Sequence, residues 1–361
     1  MMNKRVKIGG ACILALALTL AGLKLPSAYA ALPVDLSQKG SIEFKLAKNV
    51  YPEPANPDEK KADYNEELSK LPMTVKLYQV ADITETGAYK AKDGYTTLGV
   101  EQVNSDTKTE EWTKMAATAA ELAAGTTENY RAVKAKDSDS VRMELPMELG
   151  LYLVLVDDVV TDSYIYSFNP YLISVPNNYV YSTGSDAWVY NLTGDNAVGL
   201  KPERQGRLGD LEIVKDLIGY NASLGGAYFV YEVSVPNPDG TTTSNVYKLS
   251  FTDTGSRSLT ITDLPAGAEV TVTEVYTGAS YSLTTGTDAT QKTTITANPN
   301  SDWKVTGGDK PAELEPYTPS SVSFINTYDK RQNGGSGVVN TFYKNGEIVD
   351  CRNDIDKVEV N

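Results

Sequence analysis

The chain has 361 residues, 47 acidic against 33 basic, a formal net charge of −14, 23 tyrosines, two cysteines and no histidine. Without histidine, serine–histidine and cysteine–histidine nucleophile pairs and most transition-metal sites are excluded, and no cofactor or metal is expected. The acidity argues against nucleic acid or an anionic membrane as partner, because both select a basic footprint.

The first thirty residues combine a basic start (Lys4, Arg5, Lys7), an apolar run from Ala11 to Leu23 and a small-residue end at Ala28-Tyr29-Ala30. That order predicts a secretory signal peptide over residues 1–30, too short to read as a membrane span. Its removal takes away four cations, Lys24 included, and no acid, so the mature chain carries a formal charge of −18 and no expected span. Cys351 is then the single cysteine, and no intrachain disulfide is available in a compartment where disulfides are common.

From residue 32 to 195 the apolar segments are short, β-branched and tyrosine-rich, with turn residues between them, the pattern of an all-β sandwich. Expected strands are SIEFKLAK, MTVKLYQVADI, GLYLVLVDD, NPYLISVP and AWVYNLT. The Pro- and charge-rich stretch from Tyr51 to Lys70 predicts an exposed excursion. One inserted helix is expected in TKTEEWTKMAATAAELAAGTT. Thr107 and Glu110 have capping-box spacing, and Trp112, Met115, Ala119 and Leu122 fall on one face before Gly125. Residues 196–205 lack strand periodicity and read as a short linker or crossing strand.

Residues 206–330 predict a second sandwich, and three of its strands direct a polar residue where an apolar one belongs. Alternation puts Lys215 in line with Leu211, Ile213 and Leu217, Glu274 with Val270, Val272 and Tyr276, and Asn326 with Val322, Phe324 and Tyr328. A buried ammonium loses its proton readily and a buried carboxyl keeps one, so the expected pocket holds a free amine, an acid and a carboxamide. Lys215 can then attack Asn326 Cγ while Glu274 moves protons, expelling ammonia and leaving a Lys–Asn amide in one turnover. The plainer alternative is a hydrogen-bonded Lys–Glu pair, with Asn326 satisfying a turn.

These residues resemble the Cna-B-type domains of Gram-positive surface proteins and pilins, immunoglobulin-like sandwiches with internal isopeptide bonds. The resemblance covers roughly residues 208–330. It rests on IVKDL around Lys215, VTVTEVYTGASYSL around Glu274 and FINTYD around Asn326. It implies tandem immunoglobulin-like domains, Glu274 as catalytic residue and Lys215 and Asn326 as crosslink partners. GLYLVL, YSFNPYLISVP and AWVYNLT resemble the N-terminal domain of sortase-assembled backbone pilins. This implies other pilin subunits and a sortase as partners and makes Lys201 a candidate intermolecular acceptor, although Trp188 and Lys201 lie too far apart for the usual pattern. A second crosslink within the first domain would use Lys48, which continues the inward set Ile42, Phe44 and Leu46, and Asn191. Leu155 stands where an acid belongs, leaving Asp157 or Glu148 as substitutes.

The last segment, 331–361, reads as a flexible tail or truncated repeat. VVNTFYK echoes FINTYDK and offers Asn340 as a remote competitor of Asn326. No sortase sorting signal or basic stop is found there. The expectation is a secreted or cell-surface structural protein, pilin or pilin-like, with a secreted adhesin that binds a host or glycan ligand as the alternative. Turnover of an external substrate is not expected.

Overall fold

The computed structural model describes residues 32–46, 64–104, 106–143, 146–178, 187–237, 240–331, 342–344 and 347–349. The chain forms two compact units, Met1–Val159 with Tyr166–Arg204, and Val160–Ile165 with Gln205–Asn361. Both are built mainly from β-sheets, so the fold is all-β.

In the first unit the central strand Met73–Ile83 follows the boundaries that its alternation predicts. It pairs antiparallel with Tyr89–Ala91, Tyr130–Lys134 and Gly150–Val156, and the last of these pairs with Tyr171–Val175. The strand Ser41–Leu46 runs parallel to Asn191–Leu192 and Val198–Leu200 and antiparallel to Ser140–Arg142. The expected strand at AWVYNLT is broken into Trp188–Val189 and Asn191–Leu192, and the stretch at 196–205 contains the strands Val198–Leu200 and Pro202–Gly206.

The inserted helix spans Thr109–Ala123 and buries Ala116, Ala119 and Ala123, with Trp112 and Met115 packed partly against the same cluster. Leu122 is turned outward, because the buried row follows the small alanines that allow close approach to the sheet. The cap is displaced by one residue from its expected place. The Lys108 backbone N–H donates to Glu111 Oε2 at 3.0 Å, while the Thr107 hydroxyl accepts from the Asn104 N–H. A short helix, Tyr64–Ser69, occupies the end of the predicted excursion and buries Leu68 completely.

The second unit is a two-sheet sandwich. One sheet orders its strands as Gly255–Pro265, Leu208–Leu217, Ser320–Tyr328 and Tyr281–Leu283, and the other as Thr242–Phe251, Ala227–Pro236, Glu269–Tyr276 and Thr290–Thr294. Leu208–Leu217, the lysine strand, and Ser320–Tyr328, the asparagine strand, are neighbours and run parallel, with Leu217 opposite Asn326 and Lys215 opposite Phe324. Nearly the whole length of the domain therefore separates two strands that touch. Gly209 is required at the start of the lysine strand, since a Cβ there would lie 2.0 Å from the Thr296 carbonyl oxygen, a backbone atom that cannot swing aside.

Between the sheets lie Leu211, Ile213, Phe229, Tyr231, Val233, Val270, Val272, Val322 and Phe324, all buried. The alternation of the lysine strand places Lys215 in that core, and burial of its apolar neighbours at roughly 25 cal/mol per Å² is what holds it there. Gln291, in the glutamate's sheet, ties the sheets together. Its side-chain amide donates to the Ser323 carbonyl and accepts from the Ser323 N–H, replacing a ladder partner along the part of the asparagine strand that Tyr281–Leu283 leaves uncovered.

Candidate functional site

Lys215, Glu274 and Asn326 converge inside the second unit. Lys215 and Asn326 come from adjacent strands of one sheet, and Glu274 reaches across from Glu269–Tyr276 in the other. Lys215 and Asn326 are wholly inaccessible to solvent and Glu274 is 5% exposed. Lys215 Nζ donates to Glu274 Oε1 at 2.7 Å, and Asn326 Nδ2 donates to the same oxygen at 3.1 Å. One carboxyl oxygen thus touches both the attacking nitrogen and the leaving nitrogen of the expected reaction.

Aromatic side chains line the pocket. Lys215 Nζ lies 4.3 Å from the centroid of the Phe229 ring, and the rings of Tyr231 and Phe324 are 5.1 Å apart and tilted by 45°. Burial pushes the Lys215 ammonium down to about 8, against the opposing pull of Glu274. Burial pushes the Glu274 carboxyl up, opposed by its hydrogen bonds to Lys215 and Asn326 and by Tyr231. Both shifts favour the pair as a neutral amine and a neutral acid.

The hydrogen bonding of the pocket is incomplete. Glu274 Oε2, Asn326 Oδ1 and the Tyr231 hydroxyl are buried without a hydrogen-bond partner. Each such group costs about 1–3 kcal/mol, so the three together weigh against this arrangement as a resting state. Lys134 in the first unit provides the contrast. It is as deeply buried as Lys215, but its ammonium donates to three backbone carbonyls, Ser69 O, Ala135 O and Ser138 O, at 3.0, 2.9 and 2.8 Å. Lys215 has a single acceptor among the described residues. A lysine serving only structure is satisfied, and Lys215 is not.

The described members of the expected second centre have other partners. Asn191 is exposed and accepts from the Ser41 hydroxyl at 2.7 Å. Glu148 and Asp157, the substitute acids, form surface ion pairs with Lys39 and Lys76, each at 2.6 Å. Lys48 and Asn340, like the expected signal peptide, lie outside the described residues. Lys201 Nζ is buried without a hydrogen-bond partner, and burial lowers its affinity for a proton. Among the described residues there is no cluster of metal-binding side chains, and no helix is long and apolar enough to cross a membrane.

Phe229 and Tyr231 also line the pocket, and AYFVYEV carries the signal for them. Its alternation places Phe229, Tyr231 and Val233 on one face, and Tyr231 lies directly across the ladder from Glu274.

Residues 211–329 match a family model described as "Domain of unknown function (DUF5979)". No curated protein matches the chain. Among solved structures, the chain is similar to the shaft pilin SpaA of Lactobacillus rhamnosus GG, with 10% identity over 84% of this chain and 100% of that one and a TM-score of 0.27. It is also similar to the full-length major pilin SpaD of Corynebacterium diphtheriae, with 11% identity over 82% and 99% of the two chains and a TM-score of 0.24. A third is the minor pilin of the Gram-positive pathogen Streptococcus agalactiae, with 14% identity over 82% and 100% and a TM-score of 0.22. The segment that holds Lys215, Glu274 and Asn326 falls within the matched family model.

Proposed function

We propose that this chain is a structural subunit of a Gram-positive cell surface, pilin or pilin-like, whose second sandwich is locked by an autocatalytic amide between Lys215 and Asn326. The observation that carries the reading is the single Glu274 oxygen hydrogen-bonded to both Lys215 Nζ and Asn326 Nδ2 in a sealed pocket. In the reactive form Lys215 is a free amine and Glu274 is protonated. The Nζ lone pair bonds to Asn326 Cγ, Glu274 accepts the Nζ proton and delivers a proton to Nδ2, the Cγ–Nδ2 bond breaks, and ammonia leaves. Atoms and charge balance without a cofactor, and the glutamate returns to its starting state.

A secreted, disulfide-free chain gains from such a bond what a disulfide supplies elsewhere. Joining the first and last strands of the domain prevents its ends from separating under shear or protease attack. The domain limits that go with this reading are a signal peptide at 1–30, sandwiches at 32–195 and 206–330, and a tail at 331–361. Lys201 is the proposed acceptor for joining subunits, and its buried amine requires that its segment open first. Coexpression with a sortase and a donor pilin tests that assignment. A covalent ladder that disappears in Lys201→Ala is the expected outcome, and a ladder that persists in the variant excludes Lys201.

The pH dependence of bond formation tests the chemistry. Denatured, uncrosslinked chain is diluted into buffers from acid to alkaline pH, and ammonia release is followed. The reactive pair holds one proton between its two members, so the rate is expected to be bell-shaped. It falls on the acid side, at a pH above the ordinary 4.5 of a glutamate, where the pair takes up a second proton. It falls on the alkaline side from about 8, where the last proton is lost. A rate that climbs steadily through pH 10, as an ordinary lysine amine would give, contradicts the mechanism.

A further inference from the structure

The proposed crosslinking reaction leaves one buried group unused, the hydroxyl of Tyr231. Its side chain is completely inaccessible, and its residue stands directly across the ladder from Glu274, next to a register shift between Val230 and Tyr231 that re-aims the strand at this point. The ring rests on Phe324, two residues before Asn326 on the same face of the asparagine strand. The hydroxyl lies beside the Glu274 carboxyl, close enough that each alters the other's affinity for a proton, yet it makes no hydrogen bond of normal length and angle.

A donor with no acceptor therefore shares a pocket with two acceptor oxygens that have no donor, Glu274 Oε2 and Asn326 Oδ1. Three unsatisfied atoms in one closed, apolar space are hard to account for as structure, since a phenylalanine would fill the same volume without the desolvation cost. They are accounted for by the charge that develops during reaction. When Nζ bonds to Asn326 Cγ, the carbonyl π electrons move onto Oδ1, and that oxygen becomes an anion with no solvent to stabilise it. Glu274 Oε1 is occupied with the two nitrogens, so a second group must meet the oxygen.

We propose that Tyr231 is the oxyanion donor of this centre, its hydroxyl hydrogen-bonding to Asn326 Oδ1 as the tetrahedral intermediate forms and releasing it when Cγ–Nδ2 breaks and ammonia departs. No proton leaves the tyrosine in this cycle. Burial and the neighbouring carboxyl both push its ionisation far above the ordinary tyrosine range, so the donor is present throughout the working pH range. The role rests on the Lys215–Asn326 reading.

The test uses the whole chain, with ammonia release and intact mass followed after dilution from denaturant for the parent, Tyr231→Phe and Glu274→Ala. Losing one preorganised oxyanion donor costs on the order of 10²–10³ in rate. Tyr231→Phe is expected to form the same bond that much more slowly, with the limbs of the pH profile unmoved because Lys215 and Glu274 set them. A shift of those limbs would instead indicate a change in pocket polarity and overturn the role. In the Glu274→Ala background, Tyr231→Phe is expected to leave the melting temperature level or raise it, since it deletes an unpaired buried hydroxyl; a fall would mean that the hydroxyl serves structure. A parent that crosslinks and a Tyr231→Phe chain that crosslinks at the same rate would refute the donor role and leave the bond standing. A parent that never loses ammonia would refute both.

Discussion

Glu274→Ala is expected to lower the melting temperature of the second sandwich by roughly 20–30 °C, with two separable causes. The variant cannot move protons between Nζ and Nδ2, so no bond forms. The stabilisation of a link closing a loop of roughly one hundred residues, about 4–5 kcal/mol on the chain-entropy account, is then absent. It also strands Lys215 in a pocket where Glu274 Oε1 is its sole acceptor among the described residues. Removing one partner of a buried pair costs about 3–5 kcal/mol. Together these rival the whole stability of an ordinary domain, about 5–15 kcal/mol. The stranded amine adds a pH signature. A lysine whose folded value lies below its ordinary 10.5 binds fewer protons folded than unfolded, so the variant's stability rises with pH. With Glu274 gone the folded value drops below about 8, and the rise spans the window from there to 10.5. Calorimetry at pH 7 and 10 checks both statements, and a melting point within a few degrees of the parent contradicts them.

Lys215→Met is expected to lose the bond and yet remain markedly more stable than Glu274→Ala. Methionine fills the space beside Phe229 and Phe324 without a charge. Glu274, whose burial raises its affinity for a proton, keeps Asn326 Nδ2 as a partner. Only the loop-closure contribution is missing, so the fall from the parent is about 4–5 kcal/mol, or roughly 15–20 °C. The expected order is parent, Lys215→Met, Glu274→Ala. Equal stability of the two variants would mean that the ammonium carries no burial penalty once Glu274 is gone. Equal stability of Lys215→Met and the parent would mean that no crosslink contributes.

The sandwich core and its polar intruders were legible because both follow a period of two. Met73–Ile83 keeps that alternation over eleven residues, and Leu211, Ile213, Lys215 and Leu217 keep it through the lysine strand. Lys215, Glu274 and Asn326 announce themselves as polar residues in apolar registers. The parallel contact between the lysine and asparagine strands is a different matter, since nothing in either strand's own period specifies its neighbour.

What stayed hidden was set by tertiary partners. AWVYNLT reads as one strand but is divided, because two different neighbours claim its ends, Asn177–Asn178 and Ser41–Leu46. On the helix, the larger Leu122 looks like the packing residue, whereas the sheet accepts only the small Ala116, Ala119 and Ala123. Lys134 gives no sign of burial, since its stabilising partners are backbone carbonyls that any sequence supplies. Tyr231 is one of 23 tyrosines, and its place across the ladder from Glu274, which the sequence does not specify, sets it apart.

Whether Lys215 and Asn326 are joined is decided by the intact mass of the purified whole chain beside its Glu274→Ala variant, with tandem fragmentation of the peptides carrying residues 215 and 326. The parent is expected to be lighter by one ammonia, with that loss located in a branched peptide joining Lys215 to Asn326, and the variant to be at full mass. A parent at full mass, with the two residues in separate linear peptides, would contradict it and reduce the trio to a buried hydrogen-bonded cluster.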